Sequence, residues 1–296
     1  MSNLRGAMLM VFAMGLFAIE DGLIKSLTGT IPVGQIIAIT CIGGLAYFIA
    51  YFRIKKIPLW QPEYLDRKVL LRTAFDASGS LCFVTALSLI PLTTASAVIQ
   101  ATPLVVALGA ALFLGQSIGW RRWIAIIIGF AGVMIIIRPG MEGFEPATLF
   151  AVAGMLGLAA RDLFTRSLTV SLSGAQLSAH AFAAQIVAAS LLLISQGQGF
   201  VTPNPKEAIL LVGCIFFGVT AYLAIVAATR EGNAGIISSF RYSRMIFALI
   251  IGFAVFQEVP DTATIVGATI VIASGIFTLL REARLRRASL LSTAAL

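Results

Sequence analysis

Charge is what this 296-residue chain has least of. Lys, Arg, Asp and Glu together make up 11% of it, against the quarter or so usual for a water-soluble domain. Residues of the hydrophobic class make up 59%, and the mean hydropathy is +0.97. So few charged side chains would leave a water-exposed surface uncovered, and lipid is the solvent such a chain requires. Histidine is reduced to His180, and no Cys/His cluster has metal-ligand spacing, so neither a metal nor a cofactor is expected. HExxH, GxSxG and a Walker lysine loop are all absent, and no soluble nucleotide domain is present to drive a pump. An enzyme would be left with very few acid–base groups. The three cysteines, Cys41, Cys82 and Cys214, lie inside apolar runs and read as reduced packing residues, not a disulfide framework.

What is present is a series of long apolar segments. A membrane-spanning helix needs about 20 mostly apolar residues. Charge clusters and Gly/Pro breaks delimit ten such spans: 6–26, 34–52, 70–90, 93–114, 121–138, 147–168, 174–196, 207–229, 234–256 and 262–280. The first has no convincing small-x-small cleavage site and is interrupted by Glu20-Asp21, so it reads as a retained span. The net charge of +8 comes from basic residues flanking the spans, which argues against nucleic acid as a partner. With the N-terminus inside, fifteen Lys and Arg fall on the inner side, including Arg53, Lys55, Lys56, Arg67, Lys68, Arg72 and Arg281. Only Lys25, Arg138 and Lys206 fall outside. That asymmetry predicts two cytoplasmic termini. Arg161, Arg241 and Arg244 belong to neither side because they lie within spans.

The chain also repeats itself. Residues 18–38 match 159–179 with seven identities in 21 positions, among them Asp21/Asp162, Gln35/Gln176 and Ser26/Ser167, with Lys25 replaced by Arg166. At a shift of 142, Ala86 falls on Ala228, Ser96 on Ser238, Gln100 on Tyr242 and Pro103 on Met245. Each repeat holds five spans, an odd number, so the second copy enters the bilayer from the opposite face. The expected fold class is all-α: a polytopic membrane protein of ten transmembrane helices in two inverted five-helix repeats. The boundaries expected are 1–140, 141–281 and a basic cytoplasmic tail at 282–296.

Several stretches carry a family resemblance. Leu92-Thr93-Thr94-Ala95-Ser96-Ala97-Val98-Ile99-Gln100-Ala101-Thr102-Pro103, then Ala111 to Gln116, Gly129 to Val133 and Arg138-Pro139-Gly140, resemble the EamA repeat. So do Ile237-Ser238-Ser239 to Met245, Val255-Phe256-Gln257-Glu258 and Ser274-Gly275 in the second half. This is the signature domain of the drug/metabolite transporter superfamily, and the chain is similar to its bacterial aromatic amino-acid exporters. It departs at Gly115-Gln116, where the family often has Gly-Glu, and at Met245, where it expects proline. The resemblance implies a multi-pass protein of the bacterial inner membrane exporting small metabolites.

Charges at bilayer depth should face a cavity or a partner. In the first span Glu20 and Asp21 lie well inside, and Asp21 pairing with Lys25 at i,i+4 stands beside cavity lining by either acid. Asp162 and Arg166 repeat the arrangement, with Arg161 adjacent. At about 1.5 Å per residue, Arg241 lies roughly 10 Å and Arg244 roughly 15 Å from the inner end of helix nine, and Asp162 about 9 Å from that of helix six. Arg241 or Arg244 is therefore expected to pair with Asp162, as a gate or as a permanent structural pair. Asp76 follows Arg72 by one turn, and His180 is either packed or, with Asp76, part of a proton relay. The substrate cavity is expected near the midplane, lined by Ser78 and Ser80 of the third span and Ser96, Gln100, Thr102 and Pro103 of the fourth. Thr220 and Tyr222 of the eighth and Ser239, Tyr242 and Ser243 of the ninth complete it. Ala125-xxx-Gly129 and Ala263-xxx-Gly267 read as packing or dimer seams.

These features favour a secondary carrier that exports small metabolites by alternating access. Neutral and aromatic amino acids are the substrates the resemblance suggests. A passive channel and, further off, an intramembrane enzyme are the alternatives. The partners expected are the substrate and the bilayer, with the protein a monomer or weak homodimer.

Overall fold

The computed structural model describes residues 2–116, 119–230 and 234–293, with side chains for 4–116, 119–228, 237–281 and 283. Among the described residues the fold is entirely helical. Ten helices are long and apolar enough to cross a membrane: α1 Leu4–Leu27, α2 Val33–Lys55, α3 Arg67–Leu89, α4 Leu92–Phe113, α5 Trp120–Ile137, α6 Thr148–Ser167, α7 Gly174–Ser195, α8 Pro205–Ala228, α9 Ile237–Phe256 and α10 Thr262–Arg281. Each span read from the sequence has its helix. The last one runs on as Thr262–Thr293, so the backbone of residues 282–293, expected as a tail, continues the helix. Residues 294–296 lie outside the described residues. We call the side on which α1 begins the N face and the other the far face.

Polar groups are drawn inward while large apolar side chains cover the outside. Asp21, Gln35, Arg72, Asp76, Ser96 and Gln100 are buried, while Ile127, Leu191, Val212 and Phe253 are exposed. An apolar exterior, with charged and polar groups withdrawn into an otherwise apolar core, is the arrangement lipid selects. Two apolar surface grooves, one of about 430 Å³ between α5 and α10 and one beside α1, contain none of the expected cavity residues.

Because lipid tails are as apolar as leucine, close packing brings the helices together, and small residues permit it. Gly79 of α3 meets Gly157 of α6 so closely that a Cβ on Gly157 would lie 2.7 Å from the Gly79 Cα. Gly132 of α5 and Gly267 of α10 abut in the same way, so that seam is spent inside the bundle. The main contacts are α3 with α6, α1 with α8, α5 with α10 and α2 with α7. Exchanging helices one to five with six to ten leaves that set of pairs unchanged.

Two helices are interrupted at the repeat-related positions 100 and 242. α4 consists of Leu92–Ile99 and Thr102–Phe113. Pro103 has no N–H to offer the Ile99 carbonyl, and the Thr102 hydroxyl donates to that carbonyl instead, at 2.6 Å. α9 tightens to a 3₁₀ turn at Phe240–Tyr242 without a proline. There Gln100 Nε2 donates to the Tyr242 carbonyl at 3.1 Å and, at 3.5 Å, to that of Arg241. The two breaks meet, and one glutamine joins them.

Candidate functional site: ion pairs inside the helix bundle

The charges that interrupt the spans assemble into three groups. The first lies near the far face. α3 and α4 are joined through Ile90 and Pro91, leaving carbonyls at the end of α3 and N–H groups at the start of α4 without helical partners. Lys25 Nζ donates to the Leu87 and Ile90 carbonyls at 3.1 and 2.6 Å. Glu258, just past α9, accepts from the Leu92 and Thr93 N–H groups at 2.8 and 3.0 Å and from the Thr93 hydroxyl at 3.1 Å. Lys25 and Glu258 are themselves 3.6 Å apart. A cation at a helix C-terminus and an anion at an N-terminus both match the local dipoles. The pairing of Asp21 with Lys25 expected from their spacing is not made. Lys25 finds backbone acceptors and Glu258 instead.

The second group is central. Asp21, 4% exposed, accepts from Arg244 Nε at 3.1 Å and Nη2 at 2.5 Å. The guanidinium also lies over the rings of Phe17 and Phe83, a cation–π arrangement that helps where water is excluded. Arg244 thus pairs with Asp21, not Asp162. Glu20, next along α1, makes no hydrogen bond or ion pair among the described residues, and its carboxylate rests against Gly218 of α8.

The third group lies toward the N face. Arg161 bonds its neighbour Asp162 at 2.8 Å through Nη2 and reaches Asp76 at 3.2 Å through Nη1. Arg72 approaches Asp76 at 3.5 Å and donates to Thr165 and to the Leu177 carbonyl. Asp162 is therefore held within its own helix, and neither Arg241 nor Arg244 forms the expected ion pair with it. His180 is packed and hydrogen-bonded: Nδ1 lies 3.0 Å from the Thr73 hydroxyl, and the ring stacks on Tyr64. No hydrogen bond links His180 to Asp76 among the described residues.

The softer polar residues divide. Gln100 bridges the two breaks, and Ser96 and Tyr242 are buried with hydroxyls that make no hydrogen bond, the Tyr242 hydroxyl lying against Gly275. Ser78, Thr102 and Ser243 donate to carbonyls of their own chain three residues back. Tyr222 packs edge-on against Phe48, joining a cluster with Phe52 and Phe182. Ser80, Pro103, Thr220 and Ser239 are half-buried. Glu258 and Arg72 also take part in these ion-pair groups, without standing among the site residues expected from the sequence. The Gly-Glu position of the repeat pointed to Glu258, and the one-turn spacing to Asp76 pointed to Arg72.

Ten apolar helices around an ion-paired interior define a polytopic membrane protein. Residues 4–138 and 146–280 each match the EamA-like transporter family, and the chain belongs to it. It is 28% identical over 213 residues to an S-adenosylmethionine uptake transporter of Rickettsia bellii, covering 72% of each chain. It is 27% identical over 227 residues to a riboflavin transporter of Rhizobium johnstonii, covering 74% of this chain and 72% of that one. Over 280 residues it is 27% identical to a pseudopaline exporter of Pseudomonas aeruginosa, covering 91% of this chain and 94% of the relative. A crystal structure shares the fold over 96% of this chain and 98% of its own, with a TM-score of 0.63 and 20% identity. The protein is a multi-pass membrane transporter of small metabolites and not an enzyme.

Proposed function

We propose that this transporter is a secondary carrier exporting neutral and aromatic amino acids by alternating access, from an inner membrane in which the N face is cytoplasmic. In this reading the halves 1–140 and 141–281 are oppositely inserted repeats rocking about the substrate. The observation that carries it is the Lys25–Glu258 contact, which ties the α3–α4 turn of the first half to the end of α9 in the second. Breaking it would separate the halves at the far face. The Arg72–Asp76–Arg161–Asp162 network is the corresponding closure toward the cytoplasm. The exchange-invariant helix pairing supports an inverted two-fold relation, since two such packings are close in energy. The buried Asp21–Arg244 pair across the bundle favours a carrier over an open channel. The amino-acid substrate rests on the resemblance to aromatic amino-acid exporters and on a mixed hydroxyl and apolar interior. The relatives are named for both uptake and export, which leaves the direction to the test.

Counterflow in proteoliposomes tests this directly. Vesicles loaded with L-phenylalanine, L-leucine or L-threonine, with and without a pH gradient, are expected to exchange labelled solute saturably. Flux that stays linear at high solute would indicate a channel. Exchange of S-adenosylmethionine or riboflavin with none of any amino acid would move the substrate to another metabolite class.

A further inference from the structure

Four cations deep in the bundle, Lys25, Arg72, Arg161 and Arg244, each lie within 4 Å of a carboxylate. Arg241 does not. Its Nε is buried without a hydrogen bond, and among the described residues its guanidinium makes no ion pair or side-chain hydrogen bond. Arg241 stands near the N-face end of α9, in its 3₁₀ turn. Asp162 is already occupied by Arg161 at 2.8 Å. Asp76 is likewise taken, by Arg72 at 3.5 Å and by Arg161 at 3.2 Å.

Arg241 is half-buried, and an unpaired guanidinium within a helix bundle is costly, since such charges are ordinarily matched. The backbone that carries it is nevertheless fixed. The carbonyls of Arg241 and Tyr242 accept from Gln100, which holds the α9 break against the α4 break. A planar fork of donors fixed at a helix break and lacking an anion matches a carboxylate bidentately. Resting on the transport reading above, we propose that Arg241 anchors the carboxylate of the substrate toward the N-face side of the bundle interior. Carboxylate-bearing metabolites are then recognised by charge, and their amides are rejected.

Two measurements on the purified full chain test this. In the first, thermal unfolding in detergent without added solute, Arg241→Gln is expected to raise Tm by about 2–4 °C by removing an unmatched charge, whereas Arg161→Gln lowers it. A fall in Tm for Arg241→Gln as large as that for Arg161→Gln would make Arg241 a structural partner and overturn the proposal. In the second, L-phenylalanine, L-methionine and succinate are compared with their amides, both as Tm ligands and in counterflow. Wild type should respond to acids and not amides. Arg241→Lys, which keeps the charge but not the fork, should raise half-saturation roughly tenfold, and Arg241→Gln should lose discrimination. Equal handling of acids and amides by wild type would remove the anchor and leave the carrier standing. Stabilisation by succinate that depends on Arg241, with no amino acid exchanged, would do the reverse: it would strike the amino-acid reading and support the anchor.

Discussion

Asp21 and Asp162 occupy the same position in the two repeats and are held in opposite ways. Among the described residues Asp21 has one cationic partner, Arg244, which comes from a different helix and from the other half of the chain. Asp162 is bonded by the residue beside it, and that residue, Arg161, also serves Asp76, which Arg72 approaches in turn. The first arrangement is a single cross-bundle contact, and the second is a shared network. A single contact has two states, made or broken. A shared network loses one member and keeps the rest. Duplication copied the aspartate without copying its partner: the first-repeat counterparts of Arg241 and Arg244 are Ile99 and Thr102. The interior is therefore asymmetric although the helices pair symmetrically.

The largest effect should come from breaking the single contact. Arg244→Gln leaves Asp21 buried and unpaired, a loss of about 3–5 kcal/mol for a buried ion pair, read as a lower unfolding temperature in detergent. Asp162→Asn, which leaves Arg161 bonded to Asp76, should cost on the order of 1 kcal/mol. Asp21→Asn combined with Arg244→Gln should recover most of the single loss. Equal losses for Arg244→Gln and Asp162→Asn would erase the contrast between contact and network.

Next in size is the far-face contact. Glu258→Gln removes the charge from the hydrogen bonds to Leu92 and Thr93. Charge-assisted bonds contribute about 1.5–3 kcal/mol, so a cysteine placed at buried Ile90 should label with an impermeant maleimide about tenfold faster in this background. An unchanged rate would show that the contact does not keep that end closed.

The smallest effect is expected outside the membrane, where Asp261 contacts Arg138 across the far-face ends of α10 and α5. Hydrogen bonds from Thr264, chiefly, and then Arg138 hold the Asp261 carboxyl below the usual carboxylate range. The sign follows from that depression. The contribution is fully present above the carboxyl's unfolded value, near pH 4, and is lost only as the pH falls below it through the depressed folded value. At 48% side-chain exposure the pair is screened, and Asp261→Asn should change stability by ~0–1 kcal/mol at neutral pH. An unfolding profile in which wild type loses its advantage over Asp261→Asn above pH 5 would contradict the assignment.

The spans were legible because hydrophobic length and charge asymmetry act locally. So was Asp76 one turn from Arg72, since i,i+4 neighbours share a helix face. The other partners were not. Depth along a helix follows from counting residues, and that count sets Asp162 and Arg241 about level. Which faces meet is a matter of rotation about each axis, and that is set by packing such as Gly79 against Gly157. The i,i+4 rule failed for Asp21 and Lys25 because the turn at Pro91 left carbonyls at Leu87 and Ile90 that bind the ammonium better. Gln35 and Gln176, identical in the repeat, also diverged. Gln35 exchanges hydrogen bonds with the backbone of Val201, and Gln176 forms a capping box with Ser173.

The sequence by itself determined that this chain lives in a bilayer, crosses it ten times and is built twice over, because burying apolar residues in lipid and keeping charge out of it are properties of each segment taken alone. Tertiary structure alone decided which acid meets which base, that the breaks of α4 and α9 join through Gln100, and that Arg241 has no ion-pair partner among the described residues. Each of these depends on how helices far apart in sequence turn their faces to one another, and a one-dimensional pattern does not specify that rotation.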